Sequence, residues 1–418
     1  MSDKLFDELE SRDPELRERQ QFNALVEQIA QAKKNAPAFA ALLAEVDPYA
    51  VTSRAALAKL PVIRKSELMA RQKDGPDSHR PFGGLTAPKT GGLARIFVSP
   101  GPIYDPEGRR EDWWRLGRAL HAAGFRHRDI IQNCFSYHFT PAGMMLESGA
   151  HAIGCAVIPA GVGNTEQQVR TIAEVRPVGY VGTPSFLKII LDKGKELGSD
   201  LSSLKRALVS GEALPSALRA ELHGHGIEVR QCYATADLGL IGYESTPDGG
   251  LILDEWVIVE ILRPGTGDPV PPGEVGEVVV TTLSPEYPLI RFATGDLSMV
   301  IPGTSECGRT NARLKGWMGR ADQTTKVRGM FVHPSQVAEI VKRHAAIMKC
   351  RVVVDRDASN DSMVFKLEVA RGERSDALAA AIGESIQGIA KLRGTVSFIE
   401  PGSLPNDGKV IEDLRKHD

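Results

Sequence analysis

Cysteine is scarce in this sequence and never paired. The five cysteines lie far apart and form no Cys-x-x-Cys motif: Cys134, Cys155, Cys232, Cys307 and Cys350. An odd number of dispersed cysteines argues against the disulfide framework of a small secreted protein. We therefore expect free thiols and a location in the reducing cytoplasm.

Long apolar runs and an excess of one charge are absent as well. No apolar run approaches the roughly 20 residues of a membrane helix, and the N-terminal Met-Ser-Asp-Lys-Leu-Phe-Asp-Glu is too acidic for a signal peptide. The net charge is −2, so nothing indicates a nucleic-acid or membrane partner. With 418 residues, 42% of them hydrophobic, the chain has the length of two or three globular domains.

The first half of the chain predicts helices followed by a parallel sheet. Residues 3–47 have an amphipathic helical pattern that Pro37 interrupts. From Ile130 onward, short apolar runs alternate with helical stretches, which is typical of a doubly wound α/β fold. The predicted strands are 130–133, 155–158, 178–181, 207–209 and 228–231, and the predicted helices are 143–153, 165–175 behind an Asn164 cap, 185–195 and 215–224.

The second half predicts a β subdomain and a small α+β module. Residues 251–262 and 277–282 have the pattern of strands separated by turns. The last module contains two predicted helices, 334–344 and 376–392, the second behind a Ser375 cap, and strands at 351–355, 362–370 and 396–399. We therefore predict a large domain over residues 1–321 and a lid domain over 322–418.

The most informative stretch runs from residue 289 to residue 329. It contains Leu-Ile-Arg-Phe-Ala-Thr-Gly-Asp at 289–296, Gly-Arg-Ala-Asp at 319–322 and Lys-Val-Arg-Gly at 326–329. A carboxylate at a strand end, here Asp296, can accept two hydrogen bonds from a ribose diol. Arg320 adds a planar guanidinium that suits phosphate or ribose oxygens. The ordered string resembles the ribose-binding and hinge motifs of adenylate-forming enzymes, in particular the phenylacetate–coenzyme A ligase family.

This resemblance extends from Leu60 to Lys409 and implies an activity. The family joins a carboxylate to ATP to give an acyl-adenylate and pyrophosphate, and then transfers the acyl group to coenzyme A. Lys409, in Leu-Pro-Asn-Asp-Gly-Lys, matches the lysine that reaches in from the lid during adenylation. Asp322 matches the hinge residue, and Gly329 lies where the pantetheine chain passes close to the backbone.

The resemblance also assigns residues that follow strands of the predicted sheet. Tyr233-Ala-Thr-Ala-Asp237 is similar to the family's Tyr-Gly-x-Ser/Thr-Glu motif, in which the tyrosine stacks on adenine and the acid holds Mg²⁺ brought by ATP. Gly211 and Glu212 match the adenine-contacting turn. Tyr137, Phe139 and Ala213 are expected to line the pocket for the acid, although both aromatic residues could equally belong to the core.

The chain departs from the family at residues 98–106, Val-Ser-Pro-Gly-Pro-Ile-Tyr-Asp-Pro. The family's Ser-Ser-Gly-Thr-Thr-Gly-Lys-Pro loop at this place cradles phosphates. Ser99 and Gly101 are retained and are expected to bind nucleotide, whereas Pro102 and Ile103 replace hydroxyl residues and Asp105 replaces the lysine. An acid beside a triphosphate is unfavourable, so this loop predicts impaired ATP use.

Three interpretations follow from these motifs. The first is an ATP-dependent, Mg²⁺-assisted aryl– or acyl–coenzyme A ligase that acts on a small aromatic or short acyl carboxylic acid. The second is a weak or inactive homologue that binds nucleotide or acyl-coenzyme A. The third is an enzyme that loads a carrier-protein thiol. The resemblance also implies a homodimer, and Ser305 replaces one cysteine of the Cys-x-Cys-Gly-Arg-Thr found in some relatives, so a zinc site is not expected.

Overall fold

The structure is a computed structural model, and it describes residues 4–100, 102–321, 323, 325–327, 330–357 and 360–415. Within this part of the chain, no helix combines the length and the hydrophobicity needed to cross a membrane. The chain divides into two compact units. Unit 1 comprises residues 1–259, 280–292 and 300–317, and unit 2 comprises residues 260–279, 293–299 and 318–418.

The helices include one long and three short ones near the N-terminus and two in the C-terminal module. In chain order they are α1 Pro14–Asn35, α2 Pro37–Leu42, α3 Arg54–Leu57, α4 Leu68–Arg71, α5 Leu116–Ala122, α6 Ala142–Ala152, α7 Thr165–Val175, α8 Pro184–Glu196, α9 Ser216–Gly224, α10 Pro334–Arg343 and α11 Asp376–Ala390.

The strands are mostly short. They are β1 Ile63–Arg64, β2 Arg95–Ser99, β3 Ile103–Glu107, β4 Ile130–Asn133, β5 Ala156–Pro159, β6 Gly179–Gly182, β7 Arg206–Val209, β8 Glu228–Thr235, β9 Gly239–Tyr243, β10 Leu251–Leu253, β11 Val257–Leu262, β12 Gly276–Thr282, β13 Phe292–Ser298, β14 Val300–Ile301, β15 Arg313–Leu314, β16 Thr325–Val327, β17 Met330–Val332, β18 Lys349–Asp357, β19 Asn360–Glu368, β20 Thr395–Ile399 and β21 Ile411–Asp413.

Unit 1 is built on a nine-stranded sheet in the order β14-β15-β10-β9-β8-β7-β6-β4-β5. The half from β5 to β8 is parallel, with register pairs such as Gln132↔Tyr180 and Leu208↔Arg230. The remaining strands pair antiparallel. The parallel half, with helices α6 to α9 between its strands, confirms the predicted α/β fold.

Packing of the helices onto the parallel strands explains their sequence pattern. Val169 and Ile172 of α7 and Leu187 and Ile190 of α8 are fully buried, and they pack in one cluster with Tyr180 of β6. Burial of such aliphatic and aromatic side chains contributes roughly 1.5–3 kcal/mol each. The sheet thus fixes the carboxyl ends of β7 and β8, where several predicted site residues lie.

Of three local features predicted from the sequence, the helix break at Pro37 is confirmed, the Asn164 cap is wrong, and the strand 251–262 is divided. The helix does break at Pro37, since α1 ends at Asn35 and α2 begins at Pro37. Asn164 precedes α7, but it adopts a left-handed backbone conformation and its side chain makes no capping hydrogen bond. The predicted strand 251–262 is two strands, because the backbone N–H of Trp256 donates to Asp254 Oδ1 at 3.1 Å and turns the chain between β10 and β11.

Unit 2 contains a four-stranded sheet in the order β20-β19-β18-β21. Alternate residues of β19, including Met363, Phe365 and Leu367, are buried against helices α10 and α11, as the alternating pattern predicts. Ser375 caps α11 by accepting the N–H of Leu378 at 3.1 Å, which confirms the predicted cap. The division into domains at residues 321/322 stays a prediction.

One buried arginine ties the N-terminal segment to strand β13. Arg291 is 1% exposed, its Nη1 donates to the carbonyl of Ala58 at 2.8 Å and also to that of Leu60. Its own carbonyl accepts the N–H of Ile63 at 3.0 Å, and its N–H donates to Thr281 Oγ1 at 2.9 Å. A guanidinium can be buried here because backbone oxygens satisfy it.

We expect Arg291→Met to destabilise the protein by about 2–4 kcal/mol, because two buried carbonyls lose their donor. Urea unfolding measures this change, with Arg71→Met as the matched control. Arg71 is 39% exposed in a surface ion pair with Glu67, and its loss should cost no more than about 0.5 kcal/mol. Equal losses in the two variants would show that Arg291 is not a structural clamp.

Candidate functional site

Asp296 and Arg320 are brought together by a short backbone bridge in unit 2. The N–H of Ala321 donates to the carbonyl of Gly295 at 2.7 Å, and the N–H of Leu297 donates to the carbonyl of Gly319 at 2.9 Å. As a result, Arg320 Nη1 lies 2.7 Å from Asp296 Oδ1. The two predicted nucleotide-binding residues are therefore neighbours, although 24 positions separate them in sequence.

This ion pair is accessible from solvent. The Arg320 side chain is 56% exposed and that of Asp296 is 14% exposed. A carboxylate has two oxygens and about four lone-pair sites, so Asp296 can bond to Arg320 and to other donors at the same time. Gly295 permits this arrangement, because a Cβ there would lie 2.8 Å from Arg320 Nη2 and its φ is +77°.

The loop that carries Lys409 is fixed by polar contacts within unit 2. Asn406 accepts the N–H of Val275 at 3.2 Å and donates to the carbonyl of Gly273 at 3.1 Å. Gln323 donates to the carbonyl of Gly408 at 3.0 Å and accepts the N–H of Ile411 at 2.9 Å. Both sides of the turn before Lys409 are thus held by amide side chains.

Arg320 and Lys409 line the same cavity of about 290 Å³, together with Leu297, Met318 and Gln323. The Lys409 side chain is 51% exposed, and its Nζ lies 3.9 Å from Glu412 Oε1. That separation is too long for a strong ion pair, so the ammonium keeps its capacity to bind an anion. Two cations, Arg320 and Lys409, and two acids, Glu412 and Asp413, therefore line one small cavity, and Asp296 is bound to the first of these cations.

The predicted adenine-binding residues follow neighbouring strands of unit 1. Gly211, Glu212 and Ala213 are exposed in the turn after β7. Glu212 Oε1 accepts the N–H of Ser185 at 2.7 Å, in the first turn of α8. Tyr233 is half-buried on β8. These residues lie at carboxyl ends of parallel strands, where α/β sheets bind ligands.

The two predicted aromatic pocket residues differ in burial. Tyr137 is half-buried; its hydroxyl donates to Glu147 Oε2 at 2.8 Å and accepts from Asn133 Nδ2 at 2.8 Å. Burial and the neighbouring Glu147 raise the pKa of Tyr137, so this phenol stays neutral. Phe139 is 78% exposed, which rules out the alternative that it is a core residue.

The divergent loop is the end of a β-hairpin. Strands β2 and β3 pair with Phe97 opposite Asp105 and Ser99 opposite Ile103. Asp105 is fully buried, and its Oδ2 accepts a hydrogen bond from Ser99 Oγ. The acid that replaces the family's lysine therefore points into the protein, together with the retained serine.

Asp237 is also buried and is already paired. It is 3% exposed, and its Oδ2 lies 2.6 Å from Lys65 Nζ. Asp237 Oδ1 and Asp105 Oδ1 are both buried, and neither has a hydrogen-bond partner when both carboxyl groups are ionised. No cluster of three or more His, Cys, Asp or Glu suited to a metal occurs among the described residues. The geometry does not fit direct coordination of Mg²⁺ by Asp237.

Some predicted residues lie outside the described part of the chain: Gly101, Asp322 and Gly329. Lys65, Gln323 and Asn406, by contrast, contribute to these sites and were not predicted as site residues. Lys65 lies at 60–65, Leu-Pro-Val-Ile-Arg-Lys, at the start of the region over which the chain resembles the family, and this position was the available signal. Nothing in the sequence distinguishes Gln323 or Asn406 from ordinary loop amides.

Cys307 lies in the segment that replaces the relatives' cysteine pair. Its Sγ lies 3.1 Å from Ser245 Oγ and 3.0 Å from Ser305 Oγ. Burial raises its pKa, but hydrogen bonds from Ser245, Ser305 and Arg309 outweigh burial, so the pKa of Cys307 lies below its usual value. The thiol of Cys307 thus has serine hydroxyls as neighbours, whereas a zinc ion bound to it would need further cysteine, histidine or carboxylate ligands at these places.

Known proteins are similar to this chain over most of its length. The family described as AMP-binding enzyme matches residues 113–284. The chain is 30% identical to phenylacetate-coenzyme A ligase of Escherichia coli, over 77% of this chain and 79% of that protein. It is 28% identical to the phenylacetate-coenzyme A ligase of Thermus thermophilus, over 93% of this chain and 94% of that protein.

Solved structures agree on the fold. A crystal structure of 2-hydroxyisobutyryl-CoA ligase in complex with 2-HIB-AMP and CoA has a TM-score of 0.69 and 21% identity, with 98% of this chain and 92% of that chain covered. The sequence identity to the Escherichia coli enzyme, over more than three quarters of both proteins, indicates common ancestry as well as a shared fold. The chain belongs to the phenylacetate–coenzyme A ligase family of adenylate-forming enzymes.

Proposed function

We propose that this chain activates a small aromatic or short acyl carboxylic acid and transfers it to coenzyme A. It is an AMP-forming acid–thiol ligase: the acid attacks the α-phosphate of ATP, pyrophosphate leaves, and the thiol of coenzyme A then displaces AMP from the acyl-adenylate. The observation that carries the proposal is the cavity lined by Arg320 and Lys409, with Asp296 bound to Arg320.

The residues of this cavity suit the charges of adenylation. Asp296 accepts hydrogen bonds from the ribose hydroxyls, and Arg320 holds its carboxylate in place while offering further donors to ribose or phosphate. Lys409 brings a compact positive charge to the carboxylate and the α-phosphate, whose negative charge is concentrated in the transition state. Such fixed cations act most strongly where water is excluded.

Unit 1 supplies the proposed contacts for adenine and the acid. Tyr233 stacks on adenine, while Gly211 and Glu212 border its edge through the turn after β7. Ser99 and Gly101 are proposed to contact the nucleotide from the hairpin end. Tyr137, Phe139 and Ala213 are proposed to line the acid pocket, since aromatic walls favour a planar substrate.

The second step requires a different arrangement of the lid. Adenylation and thioester formation have different transition states, and one mobile module can complete each in turn. Asp322 is the proposed hinge, and Gly329 is the proposed passage for the thin pantetheine arm. Mg²⁺ is proposed to enter with ATP, where it neutralises the phosphates, and no contact with Asp237 is assigned to it.

The altered hairpin supports a second candidate, a weak or inactive homologue that binds nucleotide or acyl-coenzyme A. Pro100 and Pro102 lack N–H donors, and the Ser99 hydroxyl is already bound to Asp105. An AMP-release assay over aromatic and short aliphatic acids separates the two: release that requires both acid and coenzyme A identifies the ligase. Release that needs a carrier protein instead would identify a different acceptor. The proposed setting is a cytoplasmic homodimer.

We expect Lys409→Ala to lower adenylation at least about 100-fold, because it removes a cation that acts in the transition state. Thioester formation from a preformed acyl-adenylate and coenzyme A should fall less than about threefold, since that step no longer involves pyrophosphate departure. Pyrophosphate release measures the first reaction, and loss of free thiol measures the second.

Lys366→Ala is the matched control for this experiment, because Lys366 is an exposed lysine in unit 2 on strand β19. It should leave both half-reactions unchanged. If Lys409→Ala reduces both half-reactions equally while the control is normal, Lys409 maintains the structure of the site and has no specific role in adenylation.

We expect Asp296→Ala to weaken AMP binding about 10- to 100-fold, because it removes hydrogen bonds between a carboxylate and the ribose. Calorimetry with AMP and 2′,3′-dideoxy-AMP makes the test specific: the natural protein should prefer AMP, and the variant should not. Asp268→Ala, at an exposed acid of unit 2, is the control. An undiminished preference for AMP in Asp296→Ala would place the ribose elsewhere.

A further inference from the structure

Four polar residues of unit 1 form a connected group around two buried acids, and the proposed reaction assigns no role to three of them, Lys65, Asp105 and Asp237. They come from three separate parts of the chain: Lys65 follows β1, Ser99 and Asp105 lie on the β2–β3 hairpin, and Asp237 follows β8. Lys65 Nζ lies 2.6 Å from Asp237 Oδ2, and Ser99 Oγ donates to Asp105. Pairing across 172 sequence positions shows a specific tertiary arrangement.

The lysine of this group reaches the surface, Ser99 is half-buried, and the two acids are buried. The Lys65 side chain is 31% exposed, whereas that of Asp237 is 1% exposed and Asp105 is fully buried. The two carboxyl groups face each other closely enough for a mutual hydrogen bond, which requires a proton on one of them. With that proton, the pair carries a single negative charge, and Lys65 balances it.

Burial explains which carboxyl holds the proton. Desolvation, together with the neighbouring Asp237, raises the pKa of Asp105 to about 8. Asp105 Oδ1 and Asp237 Oδ1 are both buried and have no other hydrogen-bond partner. A neutral Asp105 satisfies both of these atoms by donating to Asp237, while its other oxygen accepts from Ser99.

The hairpin is held so that Asp105 keeps this position. Gln72 Nε2 donates to the carbonyl of Tyr104 at 2.7 Å, and the N–H of Tyr104 donates to Gln72 Oε1 at 2.9 Å. These two bonds fix the backbone directly before Asp105 to the residue that follows α4. The same short N-terminal region also carries Lys65.

We propose that Asp105 and Asp237 are positioning residues that hold Lys65 as a phosphate-binding cation, replacing the lysine that the family carries in its phosphate loop. The inference rests on the proposed function. In it, Asp237 binds the ammonium group of Lys65 and does not bind a metal ion. Lys65 then contacts the pyrophosphate part of ATP, so it contributes to binding of ATP and not of AMP.

Direct binding tests this assignment without depending on turnover. Lys65→Met should weaken binding of a non-hydrolysable ATP analogue about 10- to 100-fold, the value of a charged hydrogen bond, and change AMP binding less than about twofold. Lys73→Met, at a nearby exposed lysine, should change neither. Calorimetry measures both ligands, and thermal unfolding confirms that the variants are folded.

Two substitutions at Asp105 test the positioning role. Asp105→Asn retains an N–H donor toward Asp237 and an acceptor for Ser99, so its KM for ATP should stay within about threefold of the natural value. Asp105→Leu removes the donor, frees Asp237 from its fixed position, and should raise the KM for ATP about tenfold with the KM for the acid unchanged. Equal defects in the two variants would mean that an ionised Asp105 is required and would overturn the proposal.

A charge relocation provides the final experiment. Asp105→Lys restores the residue type of the family loop, and in a Lys65→Met background it should recover most of the affinity for the ATP analogue. Failure to recover affinity, or an unaffected Lys65→Met single variant, would overturn the role of Lys65. If the natural protein binds the analogue but releases no AMP with any acid, the proposed ligase activity is wrong. The binding measurements then decide by themselves whether Lys65 contacts the phosphates.

Discussion

The burial of Arg291 is a constraint that fixes the chain at two places, shortly before Asp296 and shortly before Lys65. Its guanidinium can exist in the interior only because the carbonyls of Ala58 and Leu60 accept its hydrogen bonds. The same residue begins the approach to strand β13, which carries Asp296, and the segment that it binds continues to Lys65. One side chain therefore sets the start of two functional segments that are far apart in sequence.

A second constraint is that a buried carboxylate needs a countercharge. Asp237 bonds directly to Lys65, whereas Asp105 bonds to a hydroxyl and faces another acid; its burial outweighs the attraction of Lys65 and keeps it neutral. This explains why an acid is tolerated in a loop that faces phosphates in related enzymes. The residue does not present its charge to the ligand, because it is inside the protein and protonated.

The sequence predicted the regular parts of the fold well. Strand β4 and helix α7 have the predicted bounds, because a run of apolar residues and a clear helical pattern define them without reference to the rest of the chain. The Ser375 cap was also local and was confirmed. Asn164 failed as a cap because its backbone is left-handed, which depends on the turn before it.

Long-range pairings were beyond a reading of the sequence. The motif that contains Asp296 and Arg320 indicated a nucleotide site, but the backbone bridge that joins the two residues is a property of the fold. The role of Asp105 as a buried partner of Ser99 was hidden for the same reason. The sequence identifies the residue at each position, whereas burial in the folded protein determines whether an acidic side chain is ionised.

Gly408 gives the turn before Lys409 a further property. Its φ is +69°, and a Cβ at this position would lie 2.7 Å from Val275 Cγ1. A larger residue would have to adopt a left-handed backbone conformation and crowd Val275, which directly precedes strand β12, so the origin of the lysine side chain would shift. The point from which the side chain of Lys409 extends thus depends on the absence of a side chain at the residue before it.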